Sequence, residues 1–370
     1  MKFRALSIRI LWFAVGLALG ILIALKGTLL LEPEALVSAE IFLDTDLNKI
    51  ISIHNATEAT DKRAALASFI WGPNGLPKDL PAKVEPGIQD DRYSDLSNLK
   101  QIDRLTINME WGLASTVYHF IPAQGNGKLL VYHGGHDGDF IIAKELIDFF
   151  LKNNFSVIAL SMPLETPNNR PVVDLEGIGK IQLTFHEQIK FLKMKAGHPV
   201  QLFLTPITVA LNHVQPLGYT SAYMTGVSGG GWTTTMYSAV DPRITRSYPV
   251  AGSLPLHLRE DKKRSNTAHR AADWGDYEQT IPELYAVANY LDLYILSSAG
   301  EHRKQLQILN KYDPCCLAGE SFRTYEGVIN DRVKSLGGGG TFAVYLDTKN
   351  THHAISRTAL GVILNDINNN

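Results

Sequence analysis

A chain of 370 residues, 45% hydrophobic and 19% charged, has ample material for a large core, and its ordinary composition excludes collagen-like, disordered and disulfide-scaffold classes. Lys and Arg number 35 against 37 Asp and Glu, a formal charge of −2 without a long basic run. Nothing here neutralises a polyphosphate backbone, so nucleic acid is not an expected partner.

Lys2, Arg4 and Arg9 precede an uncharged stretch from Ile10 to Leu25, which resumes after Lys26 as Gly27 to Leu31. Residues 1–31 therefore read as a signal peptide or signal anchor. The basic residues before it and Glu32 and Glu34 after it place the bulk of the chain outside the cytoplasm, periplasmic or extracellular. An uncleaved membrane anchor is preferred, because the small residues Val37-Ser38-Ala39 lie far from the apolar run; cleavage would make the chain secreted. Residues 32–100 read as a connector wrapping the main domain. Asn55-Ala56-Thr57 is a glycosylation sequon that matters only in a host that glycosylates.

From residue 101 to 370 strand and helix patterns alternate. Expected strands are Ile102 to Met109, Ser115 to Ile121, Lys128 to Tyr132, Ser156 to Leu160, Ala222 to Gly226, Ile244 to Val250, Leu291 to Leu296 and Phe342 to Leu346. Helical patterns fall at Phe140 to Lys152, Trp232 to Val240 and Arg303 to Lys311. The order predicts an α/β fold with a mostly parallel central sheet flanked by helices, and ligands of such sheets bind beyond strand C-termini. Residues 163–218 are too long for one crossover and form a candidate cap, with helical stretches at Ile181 to Met194 and Gln201 to Val214. Leu254 to Pro282 is a second insertion, and its Arg259 to Arg264 charge run reads as a solvated face.

Gly226-Val227-Ser228-Gly229-Gly230 follows the strand Ala222 to Gly226 and opens the helix through Trp232. Small neighbours permit the sharp strand-to-helix turn that exposes a serine hydroxyl, and the helix N-terminus favours developing negative charge. Val131-Tyr132-His133-Gly134-Gly135 ends an earlier strand, where paired glycines let the backbone approach a reacting carbonyl. A metal reading of the segment from His133 through His136 to Asp139 is the weaker one, because glycine spacers give it no fixed ligand geometry. Asp139 reads as the N-cap before Phe140.

These two motifs resemble those of the α/β-hydrolase superfamily, over roughly residues 100 to 370. The resemblance implies a serine hydrolase whose oxyanion hole uses the Gly229 N–H and one from Gly134, Gly135 or His136. It also implies the chain order nucleophile, acid, histidine.

A serine nucleophile needs an imidazole to take its proton, and the imidazole needs an orienting carboxylate. Five histidines follow Ser228: His257, His269, His302, His352 and His353. The last two come directly after the closing strand, and His353 is preferred to His352. For the acid, the resemblance points to the end of the strand expected at Leu291 to Leu296, hence Glu301, with Asp313 and Asp276 as alternatives. Asp347 reads as a turn residue. Cys315 and Cys316 are adjacent, and because neighbouring Cα atoms lie closer than disulfide partners usually do, two free thiols are expected.

The expected activity is carboxylic ester hydrolysis through an acyl-enzyme, on a small-molecule or saccharide-borne ester, without cofactor or metal. Trp232, Tyr237, Trp274 and Tyr277 are aromatics that would suit a sugar. A peptidase or amidase on the same fold, and a membrane-anchored but catalytically silent binding protein, are the rivals. Oligomeric state is not legible.

Overall fold

Apolar runs a few residues long, such as Ser156–Leu160, can be strands buried on both faces only if helices cover the sheet on both sides. The computed structural model, which describes residues 45–136, 138–259 and 275–369, has this arrangement. Strands β1 (Lys83–Glu85), β2 (Leu99–Asn108), β3 (Ala114–Pro122), β4 (Lys128–His133), β5 (Ser156–Leu160), β8 (Ser221–Val227), β9 (Ile244–Val250), β10 (Lys304–Asn310) and β11 (Thr341–Asp347) form one sheet. Its order is β1-β2-β3-β5-β4-β8-β9-β10-β11. The β1/β2, β2/β3 and β3/β5 pairs are antiparallel and every pair from β5/β4 to β10/β11 is parallel. A hairpin of β6 (Val172–Leu175) and β7 (Gly179–Gln182) stands apart from it.

The helices are α1 (Leu47–Ile50), α2 (Ala56–Trp71), α3 (Lys144–Lys152), α4 (Gln201–Val214), α5 (Gly229–Val240), α6 (Pro282–Val287), α7 (Tyr290–Ser298), α8 (Glu326–Ser335) and α9 (Arg357–Asn368). Two apolar clusters fill the sides of the sheet. One gathers α2, α4, α5, α7 and α8; the other gathers α3 and α9. Residues 45–71 join the first, while Tyr93 and Leu96 join the second: Leu66, Ile70 and Trp71 of α2 are buried in the first, and Arg63 donates to Ala239 O and Leu296 O at 2.8 and 2.9 Å. Those two carbonyls end α5 and α7, where a cation also meets the negative end of each helix dipole.

Two sequence expectations are reversed. Leu291 to Leu296, expected as a strand, lies in helix α7, and Arg303 to Lys311, expected as a helix, contains strand β10. Helix α7 is buried along its whole length, Asp292, Ser297 and Ser298 included, so it shows no amphipathic period, and its start is fixed by Asn289 Oδ1 accepting from Leu291 N and Asp292 N. In β10 the alternation of Gln305 and Gln307 with Leu306 and Ile308 is a strand period, hidden because both glutamines are buried. Their amides donate to Thr235 Oγ1 and Ser253 O.

Two smaller expectations also change. Ile181 to Met194 is not a helix but the end of β7 and a 3-10 turn, His186–Phe191. Arg259, expected on a solvated face, is buried over the Tyr290 ring and donates to Leu254 O and Gln279 Oε1. The segment expected as a membrane anchor, residues 1–31, and the residues Asp137, His269 and Trp274 lie outside the described residues. Among the described residues no helix is long and apolar enough to cross a membrane.

Candidate active site

Strand β8 delivers Val227 to the C-terminal edge of the sheet, and the chain must reverse there to enter α5. Ser228 takes the strain, with φ 57° and ψ −126°, a conformation costly for any residue with a Cβ. The turn is held by Ser228 N donating to Val250 O at 3.0 Å and Trp232 N donating to Ser228 O at 2.9 Å. At Gly230 a Cβ would run into His133 O, so the helix can start only where a glycine lets it cross the end of β4.

The second glycine that geometry demands is Gly135. A Cβ there would stand 2.7 Å from Val227 O and 3.0 Å from Ser228 Cβ, so the loop after β4 lies directly against the elbow. Gly134 N donates to Leu160 O at 2.8 Å and is thereby used by the sheet, whereas among the described residues the N–H groups of Gly135, His136 and Gly229 carry no such bond. Gly229 is the first residue of α5, and a first-turn N–H has no intrahelical acceptor. The ring of His133 is buried, pushed down to about 4 by that burial, with Nδ1 2.8 Å from Gly134 O; it is a neutral structural group.

Across the cleft, the loops after β10 and β11 meet. His353 Nδ1 lies 3.0 and 2.9 Å from Asp313 Oδ1 and Oδ2. Asp313 is fully buried, and its carboxylate also accepts from Cys315 N at 2.9 Å, Cys316 N at 3.3 Å and Asn310 Nδ2 at 3.2 Å. Asn310 ends β10 and also donates to His352 O and Ala354 O, both at 3.2 Å, which ties the acid loop to the histidine loop. Asp347 shapes the latter: its oxygens accept from Lys349 N, Asn350 N and Ser356 Oγ. Burial opposes ionisation of Asp347, but these donors outweigh it and hold its carboxyl below the usual range.

Of the sequence candidates, His353 meets a carboxylate and His352 is exposed. The expected acid Glu301 is elsewhere: its side chain is 83% exposed and its neighbour is His302 Nε2, at 3.3 Å. The cause is the reversal of α7 and β10. Glu301 precedes β10 at the N-terminal edge of the sheet, whereas Asp313 follows it at the C-terminal edge, one seven-residue strand away, roughly 20 Å.

Among the described residues no hydrogen bond joins Ser228 Oγ to His353, whose Nε2 lies 3.9 Å from Cys316 Sγ. A cavity of about 250 Å³ includes both Val227 and His353 in its lining, together with Tyr132, Leu146, Ile355 and Leu360. Cys315 and Cys316 form a disulfide and are not the free thiols expected. Both their N–H groups point at Asp313 Oδ1, and this tight turn brings the side chains together.

The aromatics proposed for a sugar are mostly packing. Trp232 is buried and donates to Tyr285 OH, Tyr237 is buried against Asp241, and Tyr277 is half-buried.

Among the described residues two clusters have metal-ligand chemistry: Cys315, Cys316 and His353, and His136, His186 and Glu278. The disulfide removes thiolates from the first. The second stands. Asp276, weighed as an acid, lies beside it with Oδ2 3.6 Å from His136 Nδ1 and is not the carboxylate at His353. Sequence reasoning missed Asn310, His186 and Glu278. None has a local motif, because each joins the site through at least one partner 40 or more residues away.

No protein-family model matches this chain, and no curated protein matches its sequence. Solved structures do match. Acetyl xylan esterase 1 from Thermoanaerobacterium sp. JW/SL YS485 is 12% identical over 87% of this chain and 97% of its own, with a TM-score of 0.51. An acetyl xylan esterase from Paenibacillus sp. R4 is 12% identical over 87% and 99%, with a TM-score of 0.49. The Pyrococcus horikoshii acylaminoacyl peptidase is 13% identical over 72% and 40%, with a TM-score of 0.43. With the parallel sheet, the elbow after β8 and the first of these likenesses in place, the chain has the α/β-hydrolase fold.

Proposed function

We propose that this chain is a serine hydrolase that cleaves a carboxylic ester through an acyl-enzyme. The observation that carries the reading is the strained Ser228 elbow, next to Val227 in the lining of a cavity that also holds His353, whose Nδ1 is held by a buried, fully hydrogen-bonded Asp313. Ser228 Oγ attacks the ester carbonyl while His353 Nε2 takes its proton, after a small shift of the imidazole that brings it to the hydroxyl. The tetrahedral oxyanion is met by the N–H of Gly229 and by that of Gly135 or His136. Collapse breaks the ester C–O bond, and His353 returns the proton to the departing alcohol oxygen. Water then attacks the acyl-serine with His353 as base, releasing the acid and restoring Ser228.

The cavity lined by Val227 and His353 is small and largely apolar, which favours a short acyl group. Acyl groups carried on saccharides are the first substrates to try, and peptide amides are the rival. A panel of p-nitrophenyl esters, acetylated saccharides and acyl-peptides, run with wild type and Ser228→Ala, separates them; equal rates in the two proteins would end the serine mechanism. Failure of a fluorophosphonate probe to label Ser228 would favour the catalytically silent binding protein.

The leading residues 1–31 are proposed to anchor the chain with this domain on the extracytoplasmic side, where a Cys315–Cys316 disulfide is stable. Release of the full chain from membranes by alkaline carbonate would contradict that.

A further inference from the structure

Glu278 sits in a 3-10 turn, Tyr277–Gln279, with its side chain fully buried and neither carboxylate oxygen hydrogen-bonded. A buried, unsatisfied carboxylate is among the most costly groups a fold can hold, and it persists only beside a cation. Around it are two ring nitrogens. His136 Nε2 is 3.3 Å from Oε1 and His186 Nδ1 is 3.5 Å from Oε2, both in ion-pair range without hydrogen-bond alignment, and the two nitrogens are 3.1 Å apart.

Each imidazole is oriented through its other nitrogen. His186 Nε2 stands 2.8 Å from Pro163 O, a carbonyl that can only accept, so the proton is on Nε2 and the Nδ1 lone pair faces inward. His136 Nδ1 faces Asp276 Oδ2 at 3.6 Å, and its Nε2 shares a hydrogen bond with the inward lone pair of His186 Nδ1, a proton that a metal ion would displace. Imidazoles whose outer nitrogens meet a carbonyl and a carboxylate are the outer-sphere arrangement that metal-ligating histidines use.

We infer that His136, His186 and Glu278 bind one divalent transition-metal ion of the zinc type. In a tetrahedral site with ligands about 2.0 to 2.1 Å from the metal, neighbouring donor atoms stand about 3.3 to 3.4 Å apart. The two ring nitrogens stand 3.1 Å apart, close to one edge of such a tetrahedron, and each faces a different oxygen of Glu278 at 3.3 or 3.5 Å, so one ligand atom from each residue lies within 4.8 Å of the other two. Two neutral imidazoles and one carboxylate leave a net positive charge on the filled site. Asp276, with Oδ2 3.6 Å from His136 Nδ1, lies near enough to balance it.

The ion would join three distant segments: the loop after β4, the turn at His186 and the turn at Glu278. The ring of His136 lies against Gly229, so the ion also fixes the loop beside the elbow. This inference does not rest on the ester-hydrolase reading.

The test uses the full chain, stripped with chelator and titrated with Zn²⁺ or Co²⁺ alone. The expected result is one equivalent bound per chain, a rise in Tm with added metal, and the visible bands of four-coordinate cobalt(II). X-ray absorption of the zinc-loaded wild type should show two imidazole nitrogens and oxygen, which needs no variant to fold. His186→Ala and Glu278→Gln should each weaken binding by more than about 100-fold, the upper end of what loss of an outer-sphere partner does. Ser228→Ala should bind metal as wild type does. Overturning results are wild type that takes up no stoichiometric metal, sulfur in the coordination shell, or binding indifferent to both ligand variants. Metal binding by a protein with no hydrolase activity would leave this site standing and sink the other reading.

Discussion

Two histidine–carboxylate groups flank the elbow, and their carboxylates are satisfied in opposite ways. Asp313 accepts from two backbone N–H groups, one amide and His353, so its oxygens are fully engaged and it is held in place to orient an imidazole. Glu278 is equally buried yet has no hydrogen bond, only two ring nitrogens whose outer positions are already engaged. The difference teaches that a buried acid is read by its donors. A full set of donors points to positioning, and an empty set leaves the charge to be met by neighbouring cationic groups.

The comparison breaks most visibly at the nucleophile. Ser228→Ala should lower kcat by about 10⁶-fold while leaving metal uptake intact, and loss of both would mean that the two groups are one site. Asp313→Asn should cost about 10⁴-fold in kcat by favouring the wrong imidazole tautomer, measured on the best ester of the panel, with cobalt bands unchanged. Glu301→Gln, at the other edge of the sheet, should leave the rate within about twofold, as for a surface change away from the site; a large loss would restore Glu301 as the acid.

Asn310→Ala should act through position, because it loosens both loops that hold His353. A fall of about 10² in kcat is expected, the scale of an ångström-level misplacement, with KM little changed. The smallest effect is acidic. The Asp347 carboxyl is held below its ordinary 3.8, so the stability it adds is complete above that value and is lost as pH falls through its lowered one. Thermal melts taken from neutral to acid pH should therefore converge for wild type and Asp347→Asn only at the acid end.

The elbow was legible because its requirements are local. A strand, a helix and the glycines between them lie in one short stretch, and sterics alone force the turn. The acid was not. A helix buried along its whole length carries no period, and a strand with buried glutamines resembles a helix, so α7 and β10 exchanged identities and took the acid to the wrong edge. Applied to β10, the rule that the acid follows a strand points to Asp313, the carboxylate that meets His353.

What the sequence determined by itself was the parallel α/β architecture, the exposed serine and the histidine loop near the C-terminus, all set by periodicity and by glycines within a few residues of the chemistry. Only the tertiary structure chose Asp313, used the Gly134 N–H in the sheet, buried Arg259, and drew His136, His186 and Glu278 to one point. Such choices depend on which distant segments share a low-dielectric space, and the energy of a buried charge is settled by its neighbours there.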